Sequence, residues 1–384
     1  MAEIKRDKRA KLKEGLGGTL DGANAVTKKA EEEAKAVIDE KTKKQMKAIV
    51  DEVIETTKEQ PISDLNAEIP LEDDLMVSTG STLLDLIISG GRINGGGLPA
   101  GILCEFFGPS GCGKTAVLSE IASSTQIRGG SVLYADPEAR LDRNYAQTFG
   151  LSIGADEYSR PDTVSELFAT LWGWKPKNPD VVNCIASDSL AALSTDLEME
   201  SADKMGMRRA KEFSEGLRKT CRIIKNKKYI IACSNQLRQG TGGTGTPGGN
   251  AVPFYASLRV SMWPGDKVEI TKELPSGKRE PRVIGVSSTC TTIKSSIDNP
   301  FRKCLVYVIF NHGIDDIRGN LQWRKDVTGD TTYNVFDKGY QAMNDAIRYI
   351  EAQNYEDKLR EEVINLWGEI EKKFVIQRKV KKRR

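Results

Sequence analysis

The sequence predicts an α/β fold with a mostly parallel central sheet flanked by helices. Apolar runs typical of buried strands alternate along the middle of the chain with stretches of helical character. One such run, at 102–107, leads through the glycine-rich segment 108–115 into a helical pattern at 116–127. A strand followed by a short turn and a helix is the building unit of parallel sheets.

The glycine-rich segment reads Gly-Pro-Ser-Gly-Cys-Gly-Lys-Thr and matches the phosphate-binding pattern G-x-x-x-x-G-K-T. Its glycines let backbone N–H groups turn toward phosphate oxygens, and the following helix N-terminus adds partial positive charge. We predict an ATP site in which Lys114 contacts the β- and γ-phosphates and Thr115 binds Mg²⁺. The alternative is a chance glycine-rich turn. The predicted contacting residues are Gly108, Pro109, Ser110, Gly111, Cys112, Gly113, Lys114, Thr115 and Ala116.

Further strand-like patterns follow the phosphate loop. The earlier ones alternate with helical stretches, which predicts parallel strands with helices on both faces, and the later ones extend the sheet. They lie at 132–136, 181–187, 229–233, 258–262, 282–292 and 303–310.

The composition is typical of a globular protein. With 384 residues, 39% of them hydrophobic, the chain can bury one large core and one or two smaller lobes. It has no run of 18 apolar residues, and its N-terminus lacks the apolar core of a signal peptide, so we expect a cytoplasmic protein without a membrane partner. The seven cysteines have no paired C-x-x-C spacing, which argues against a zinc site and a disulfide framework.

We predict three regions: an N-terminal helical region with a linker at 1–75, an ATPase core at 76–316, and a small C-terminal α/β lobe with a basic tail at 317–384. In the first region, apolar residues between 46 and 54 fall at helical spacing and form one stripe. A single amphipathic helix has no core of its own. It must therefore dock on the rest of the chain or on a neighbouring copy.

Two carboxylates follow predicted strands, where the chemistry of a parallel sheet collects. Asp188 follows 181–187 and is predicted to hold Mg²⁺, the alternative being a helix N-cap. Glu138 follows 132–136 and is the candidate general base, the alternative being a surface carboxylate. Because His312 is the only histidine, acid–base chemistry must rest on carboxylates.

Two loops and two basic ends suggest nucleic acid binding. The segment 236–250 is rich in glycine and predicts a mobile loop that a ligand orders, and 200–211 predicts a second, basic loop. Two flexible loops of this kind are consistent with single-stranded nucleic acid binding. The basic clusters at 5–9 and 378–384 are either solvated or bind phosphate backbones.

From about residue 77 to 315 the chain resembles the RecA family of recombinases, including its phage members. The matching pieces occur in the family's order. They are Ser-Thr-Gly-Ser at 78–81 with Gly-Leu-Pro at 97–99, the phosphate loop, Asp-Pro-Glu-Ala-Arg-Leu-Asp at 136–142, Ser-Asp-Ser-Leu-Ala-Ala-Leu at 187–193, Asn-Gln-Leu-Arg at 235–238, and Gly-Gly-Asn-Ala at 248–251 before Phe-Tyr-Ala-Ser at 254–257.

The resemblance implies roles for single residues. Glu138 takes the place of the family's catalytic glutamate, and Gln236 that of the glutamine that senses the γ-phosphate and couples it to a DNA-binding loop. Tyr145 matches the aromatic residue that stacks on adenine, with Asp142 beside it in the nucleotide site. Lys294 falls where the family supplies a lysine across the subunit interface to the neighbour's ATP.

The resemblance also implies two DNA-binding loops, the first around 204–206 and the second at 236–250, and an N-terminal helix that docks on the adjacent protomer. The residues expected to contact DNA are Lys204, Met205, Gly206, Arg208, Arg209, Arg238, Gly240, Gly242, Gly243, Gly248, Gly249 and Asn250.

The chain departs from bacterial members of the family at several places. Ser296 stands where they have a second interface lysine, the second loop has no aromatic residue, and the C-terminus is basic rather than acidic. These differences suggest a phage or mobile-element protein.

The resemblance therefore implies a DNA-dependent ATPase that uses ATP and Mg²⁺, forms a helical homo-oligomer on single-stranded DNA, and pairs it with double-stranded DNA in strand exchange. One alternative is a ring-forming motor of the same ATPase class, such as a hexameric helicase. Another is a DNA-coating protein with a vestigial ATPase. The presence of Lys114, Glu138 and Gln236 argues against the vestigial site.

Overall fold

The structure is a computed structural model, and it describes residues 75–196, 206–240, 243–245, 249–376 and 378. The described residues belong to the second of two units into which the chain divides, Ile62–Arg384. The predicted N-terminal helix with its apolar stripe at 46–54 and the basic segments at 5–9 and 379–384 lie outside the described residues. The predicted boundaries of the three regions stay a prediction.

The strands are numbered in chain order. They are β1 (Met76–Val77), β2 (Leu98–Pro99), β3 (Ile102–Gly108), β4 (Val132–Ala135), β5 (Tyr158–Ser159), β6 (Asn183–Ser187), β7 (Tyr229–Gln236), β8 (Arg238–Gly240), β9 (Gly243–Gly245), β10 (Leu258–Glu273), β11 (Arg279–Ser295), β12 (Lys303–Ile309), β13 (Gly313–Ile314), β14 (Tyr333–Val335) and β15 (Lys338–Tyr340).

The α-helices are numbered likewise. They are α1 (Thr82–Ser89), α2 (Lys114–Ile127), α3 (Arg143–Thr148), α4 (Val164–Gly173), α5 (Gly206–Asn226), α6 (Ala251–Tyr255), α7 (Asp316–Thr328), α8 (Met343–Gln353) and α9 (Glu356–Lys373). Short 3-10 helices occur at Ala155–Glu157 and Leu190–Ala192.

The central sheet has nine strands in the order β13-β12-β11-β10-β3-β7-β6-β4-β5. Strands β10, β3, β7, β6, β4 and β5 run parallel to their neighbours, whereas β10 to β13 are joined by antiparallel pairs. The expected α/β fold with a mostly parallel sheet is confirmed. Strands β3 and β6 are buried along their whole length, as expected when helices cover both faces.

Strands β10 and β11 extend well beyond their predicted bounds of 258–262 and 282–292. They contain 16 and 17 residues. Most residues from 258 to 262 in β10 are buried, but most residues from 263 to 283, across the turn and into β11, are exposed. The outer part is thus a two-stranded ribbon held by backbone pairing, and apolar patterning predicts only the buried base of such a ribbon.

Polar N-caps mark where helices begin. The side chains of Ser81, Asp142, Thr163 and Asp315 each accept a hydrogen bond from a backbone N–H in the first turn of α1, α3, α4 and α7. These bonds satisfy donors that the helix itself leaves unpaired.

The main hydrophobic core lies around the sheet and includes Phe106 and Tyr134, and Val363 and Trp367 of α9 belong to the same cluster. Arg302 reinforces this contact because its guanidinium binds Asp298 and the α9 residue Glu371, each at 2.7 Å. Within the described part of the chain, none of the helices is both long and apolar enough to cross a lipid bilayer.

Candidate nucleotide-binding site

The phosphate loop joins the carboxyl end of β3 to the N-terminus of α2. Gly108, the last residue of β3, pairs in register with Gln236 of β7. A Cβ at Gly108 would lie 1.9 Å from the Met262 carbonyl oxygen, so only glycine fits between these strands. Gly113, the N-cap of α2, has a φ of +79°, which glycine adopts readily. The sheet therefore fixes the loop at the edge where ligands of parallel sheets bind.

Lys114 is buried, with 8% of its surface exposed. Its Nζ donates hydrogen bonds to the carbonyl oxygens of Gly108 at 3.1 Å and Pro109 at 2.6 Å. The loop thus folds around the ammonium group, which also lines the cleft above the loop. A buried positive charge at the first turn of a helix is a strong attractor for phosphate.

The N-terminus of α2 and the carboxyl end of β6 lie at the same edge of the sheet, so Thr115 and Asp188 lie side by side. The Asp188 carboxylate accepts hydrogen bonds from the hydroxyls of Ser234 and Thr115. Burial raises the pKa of Asp188 above its ordinary value, and the two hydroxyl contacts oppose this rise. The neighbouring carboxylates Glu138 and Asp136 raise it further.

This oxygen pair fits Mg²⁺, which binds one or two protein oxygens and completes its shell with phosphate and water. Among the described residues, no three side chains of His, Cys, Asp or Glu converge on one point. The roles of Thr115 and Asp188 in holding Mg²⁺ stay a prediction.

Glu138 lies in the loop after β4 and has 14% of its side chain exposed. Its Oε1 accepts a hydrogen bond of 2.6 Å from the hydroxyl of Ser189, which directly follows Asp188. Its Oε2 lies 2.8 Å from Nη1 of Arg140. The carboxylate is therefore held inward at the cleft, and its role as general base stays a prediction.

Asp136 fixes this loop from inside. Its buried carboxylate accepts hydrogen bonds from the backbone N–H of Leu141 and from the hydroxyl of Tyr158, both at 2.8 Å. The Ala139 N–H donates to the Asp136 carbonyl at 3.1 Å, and Ala139 has a φ of +53°. The chain thereby makes a tight turn that presents Glu138 and Arg140 to the same cleft.

The cleft above the phosphate loop has a volume of about 270 Å³. It brings together segments that are far apart in the sequence. Its lining includes Lys114, Thr115, Glu138, Arg140, Tyr145, Asp188, Ser189, Ser234, Gln236, Val286, Val308 and Phe310.

A second hollow of about 290 Å³ adjoins it and shares Tyr145, Val308 and Phe310 with the first. The rings of Tyr145 and Phe149 are 4.9 Å apart, and burial raises the pKa of Tyr145. These rings make an apolar surface beside the phosphate cleft, where Tyr145 was expected to meet adenine. Asp142 lines the hollow and caps α3 through the Tyr145 N–H at 2.7 Å.

Sequence reasoning missed several of these residues. Ser189, Ser234, Arg140 and Phe310 reach the cleft from four different loops or strand ends. Their common signal is a position at or just after the carboxyl end of a core strand, or at the end of β12. That signal identifies a site only when the order of the strands in the sheet is known.

The second predicted DNA loop contains regular structure. Gln236 is the last residue of β7 and lines the cleft, and β8 begins two residues later with Arg238. Strands β8 and β9 pair as an antiparallel hairpin that contains Gly240 and Gly243. This part of the predicted loop is thus a paired hairpin, which the sequence did not indicate because backbone pairing between strands does not depend on side chains.

The remaining residues predicted for this loop are Gly242, Gly248, Gly249 and Asn250. Gly242 and Gly248 lie outside the described residues. Gly249 has a φ of +61° and, with Asn250, precedes α6.

The first predicted DNA loop is partly helical. Lys204 and Met205 lie outside the described residues, but α5 begins at Gly206 and includes Arg208, Arg209 and Lys211. The prediction of a flexible loop from 206 to 211 is therefore wrong. Helix-favouring residues dominate this stretch, and ion pairs at a spacing of four, Arg208 with Glu212 at 3.3 Å and Lys211 with Glu215 at 3.9 Å, support the helix.

Lys294 lies beside α6, which follows the second loop. Its Nζ donates hydrogen bonds to the carbonyl oxygens of Pro253 at 3.0 Å and Phe254 at 2.7 Å. Burial lowers the pKa of Lys294, and the positive charge of Arg259 lowers it further. The Phe254 ring is 73% exposed, so this corner of the molecule presents an apolar ring next to a cation.

A parallel sheet whose phosphate loop faces a strand-end carboxylate defines the class of P-loop nucleotide-binding proteins. The family model for the RecA N-terminal domain matches residues 44–315, more than half of the chain. The chain therefore belongs to the RecA family.

Curated proteins that are similar in sequence to this chain carry the same family name. The Protein RecA of Ruminococcus albus is 29% identical over 248 residues, which are 63% of this chain and 58% of that protein. The Protein RecA of Delftia acidovorans is 30% identical over 251 residues, 64% of each chain. The protein named Protein RecA, plasmid, from Lactococcus lactis subsp. lactis is 33% identical over 223 residues, 57% of this chain and 62% of the relative. The chain thus spans less than two thirds of the length of these relatives.

Proposed function

We propose that the protein is a DNA-dependent ATPase that assembles as a helical filament on single-stranded DNA and promotes homologous pairing and strand exchange with double-stranded DNA. The observation that carries this proposal is the position of Gln236. This side chain lines the phosphate cleft, and two residues further on the chain enters the β8–β9 hairpin. The phosphate of a bound nucleotide and a ligand bound at the hairpin would therefore both contact the short segment that begins at Gln236.

The cleft supplies the groups that ATP hydrolysis needs. Lys114 and the N-terminus of α2 bind and orient the phosphates. Thr115 and Asp188 would hold Mg²⁺, which neutralises phosphate charge when bound. Glu138, oriented by Ser189, accepts a proton from the attacking water.

Filament assembly would follow from sharing ATP between protomers. In the proposal, Lys294 leaves the carbonyl groups of α6 and contacts the terminal phosphate bound by the adjacent protomer, and the exposed Phe254 ring packs at the same interface. A phosphate contacted from both sides stabilises the assembly, and its loss on hydrolysis weakens it. The predicted helix around 46–54 would dock on the neighbour.

Membership of the RecA family supports a role in DNA recombination and repair with nucleotide and DNA as ligands. The similarity to a relative named as a plasmid protein supports an origin in a phage or mobile element. The proposal places the protein in the cytoplasm, where ATP and DNA are present. Its basic segment 378–384 would add affinity for duplex DNA.

The test is the nucleotide dependence of single-stranded DNA binding, measured by fluorescence anisotropy with a labelled oligonucleotide. We expect tight binding with the slowly hydrolysed analogue ATPγS and weak binding with ADP. Gln236→Ala should abolish this difference while nucleotide binding persists, and Gln353→Ala, at the exposed C-terminal end of α8, should leave it unchanged. Equal DNA affinity of the unmodified protein with both nucleotides would favour a DNA-coating protein.

A further inference from the structure

Arg140 adds a positive charge to the nucleotide cleft beyond that of Lys114. Its guanidinium pairs with Glu138, with Nη1 at 2.8 Å from Oε2, and both side chains line the cleft. The proposed general base therefore shares one of its two oxygens with a neighbouring cation. This contact bears directly on the proposed function.

The two partners differ in their freedom to move. Glu138 is 14% exposed, and its other oxygen is fixed by the buried Ser189 hydroxyl at 2.6 Å. The Arg140 side chain is 69% exposed, and its position in the turn is set by backbone bonds to Asp136 rather than by its own packing. Arg140 can thus change partner without disturbing the loop, whereas Glu138 stays in place.

Phosphate is the stronger partner for such a group. A guanidinium binds phosphate oxygens through parallel hydrogen bonds, and a terminal phosphate carries more negative charge than one carboxylate. The cleft that Arg140 lines is the one that Lys114 and Thr115 open for the terminal phosphate. ADP lacks this phosphate and would leave Arg140 on Glu138.

We propose that Arg140 is a nucleotide-binding residue whose guanidinium moves from Glu138 to the terminal phosphate of ATP. The move strengthens the binding of ATP over ADP and releases Oε2 of Glu138 to accept a hydrogen bond from water. This inference rests on the proposed ATP site. It assigns to Arg140 a role in distinguishing triphosphate from diphosphate.

The test measures the affinities of the full-length protein for ATPγS and for ADP by isothermal titration calorimetry. We expect Arg140→Ala to weaken ATPγS binding roughly tenfold, as for the loss of one charge-assisted contact, and to change ADP binding less than about twofold. Arg140→Lys should restore most of the preference, because it keeps the charge. Arg348→Ala is the matched control, since Arg348 is 75% exposed and pairs with Asp345 on α8. Equal effects of Arg140→Ala on both nucleotides, or no effect, would overturn the inference.

A double-mutant cycle separates competition for Arg140 from simple charge repulsion. Glu138→Gln should strengthen ATPγS binding more in the protein that retains Arg140 than in the Arg140→Ala background. Only in the protein that retains Arg140 does the substitution release a guanidinium group. Equal gains in the two backgrounds would contradict the proposed exchange of partners. Failure of the proposed function would instead appear as turnover indifferent to DNA in the unmodified protein, whatever the nucleotide preference of Arg140→Ala.

Discussion

Replacing Glu138 by glutamine tests the chemistry of the cleft with the smallest change of shape. The amide keeps an oxygen that can accept the Ser189 hydroxyl, so the loop after β4 should keep its position. What is lost is the negative charge and with it the ability to take a proton from water. The ion pair with Arg140 is lost as well.

The expected magnitudes separate catalysis from stability. General base catalysis contributes about 10²- to 10⁴-fold, so we expect ATP turnover to fall by at least about 100-fold. Arg140 is largely exposed, and pairs of this kind contribute about 0–1 kcal/mol, so the free energy of unfolding should change by no more than about 1 kcal/mol. Assembly on DNA with ATP should persist without turnover.

The assay is steady-state ATP hydrolysis at saturating ATP, with and without single-stranded DNA, beside urea unfolding of the same variants. Glu157→Gln is the matched control: Glu157 pairs with Lys177 at 2.7 Å and is 12% exposed, but it lies outside the cleft. It should hydrolyse ATP at the unmodified rate. Turnover by Glu138→Gln within a few-fold of the unmodified protein would refute the assignment of the base.

Two further changes test binding and pH dependence. Lys114→Ala should weaken ATP binding by about 100-fold, since the phosphates lose a buried charged donor, and an unchanged affinity in calorimetry would contradict the site. Burial raises the pKa of Glu120 from 4.5 to about 7, and the nearby carboxylates of Asp316 and Asp85 add to the rise while a bond from the Ile314 N–H opposes it. Between these values the folded protein holds a proton that the unfolded chain has released, so this group's contribution to stability falls as pH rises through about 7. Glu120→Gln should therefore gain stability over the unmodified protein from pH 5 to pH 8, by up to about 3 kcal/mol in urea unfolding, and a difference independent of pH would show that Glu120 does not titrate in this window.

The part of the fold nearest the nucleotide was predictable because its signals are local. The phosphate loop, the strand before it and the helix after it are contiguous in sequence, and each has its own apolar period or glycine pattern. The position of Asp188 was predictable for the same reason, since it directly follows a fully buried strand.

The elements that were missed depend on pairing or on charge rather than on apolar spacing. The outer part of the β10–β11 ribbon is mostly exposed and lacks a continuous apolar pattern, and the β8–β9 hairpin is built largely of glycine and threonine. The first turns of α5 are charged, which resembles a loop until the ion pairs at a spacing of four are recognised.

The partners within the site could not be predicted, because they depend on the order of strands in the sheet. Ser234 meets Asp188 only because β7 lies beside β6. Val308 of β12 and Phe310, which directly follows this strand, line the cleft although four strands, β11, β10, β3 and β7, separate β12 from β6 in the sheet. The pairing of Arg140 with Glu138 depends on a turn fixed by Asp136, which no periodicity reveals.

The most direct test of the proposed function is ATP hydrolysis with and without single-stranded DNA, with the same samples imaged by negative-stain electron microscopy. The account predicts turnover that DNA stimulates and helical filaments that form with ATP. Closed rings, or turnover that is indifferent to DNA, would contradict it.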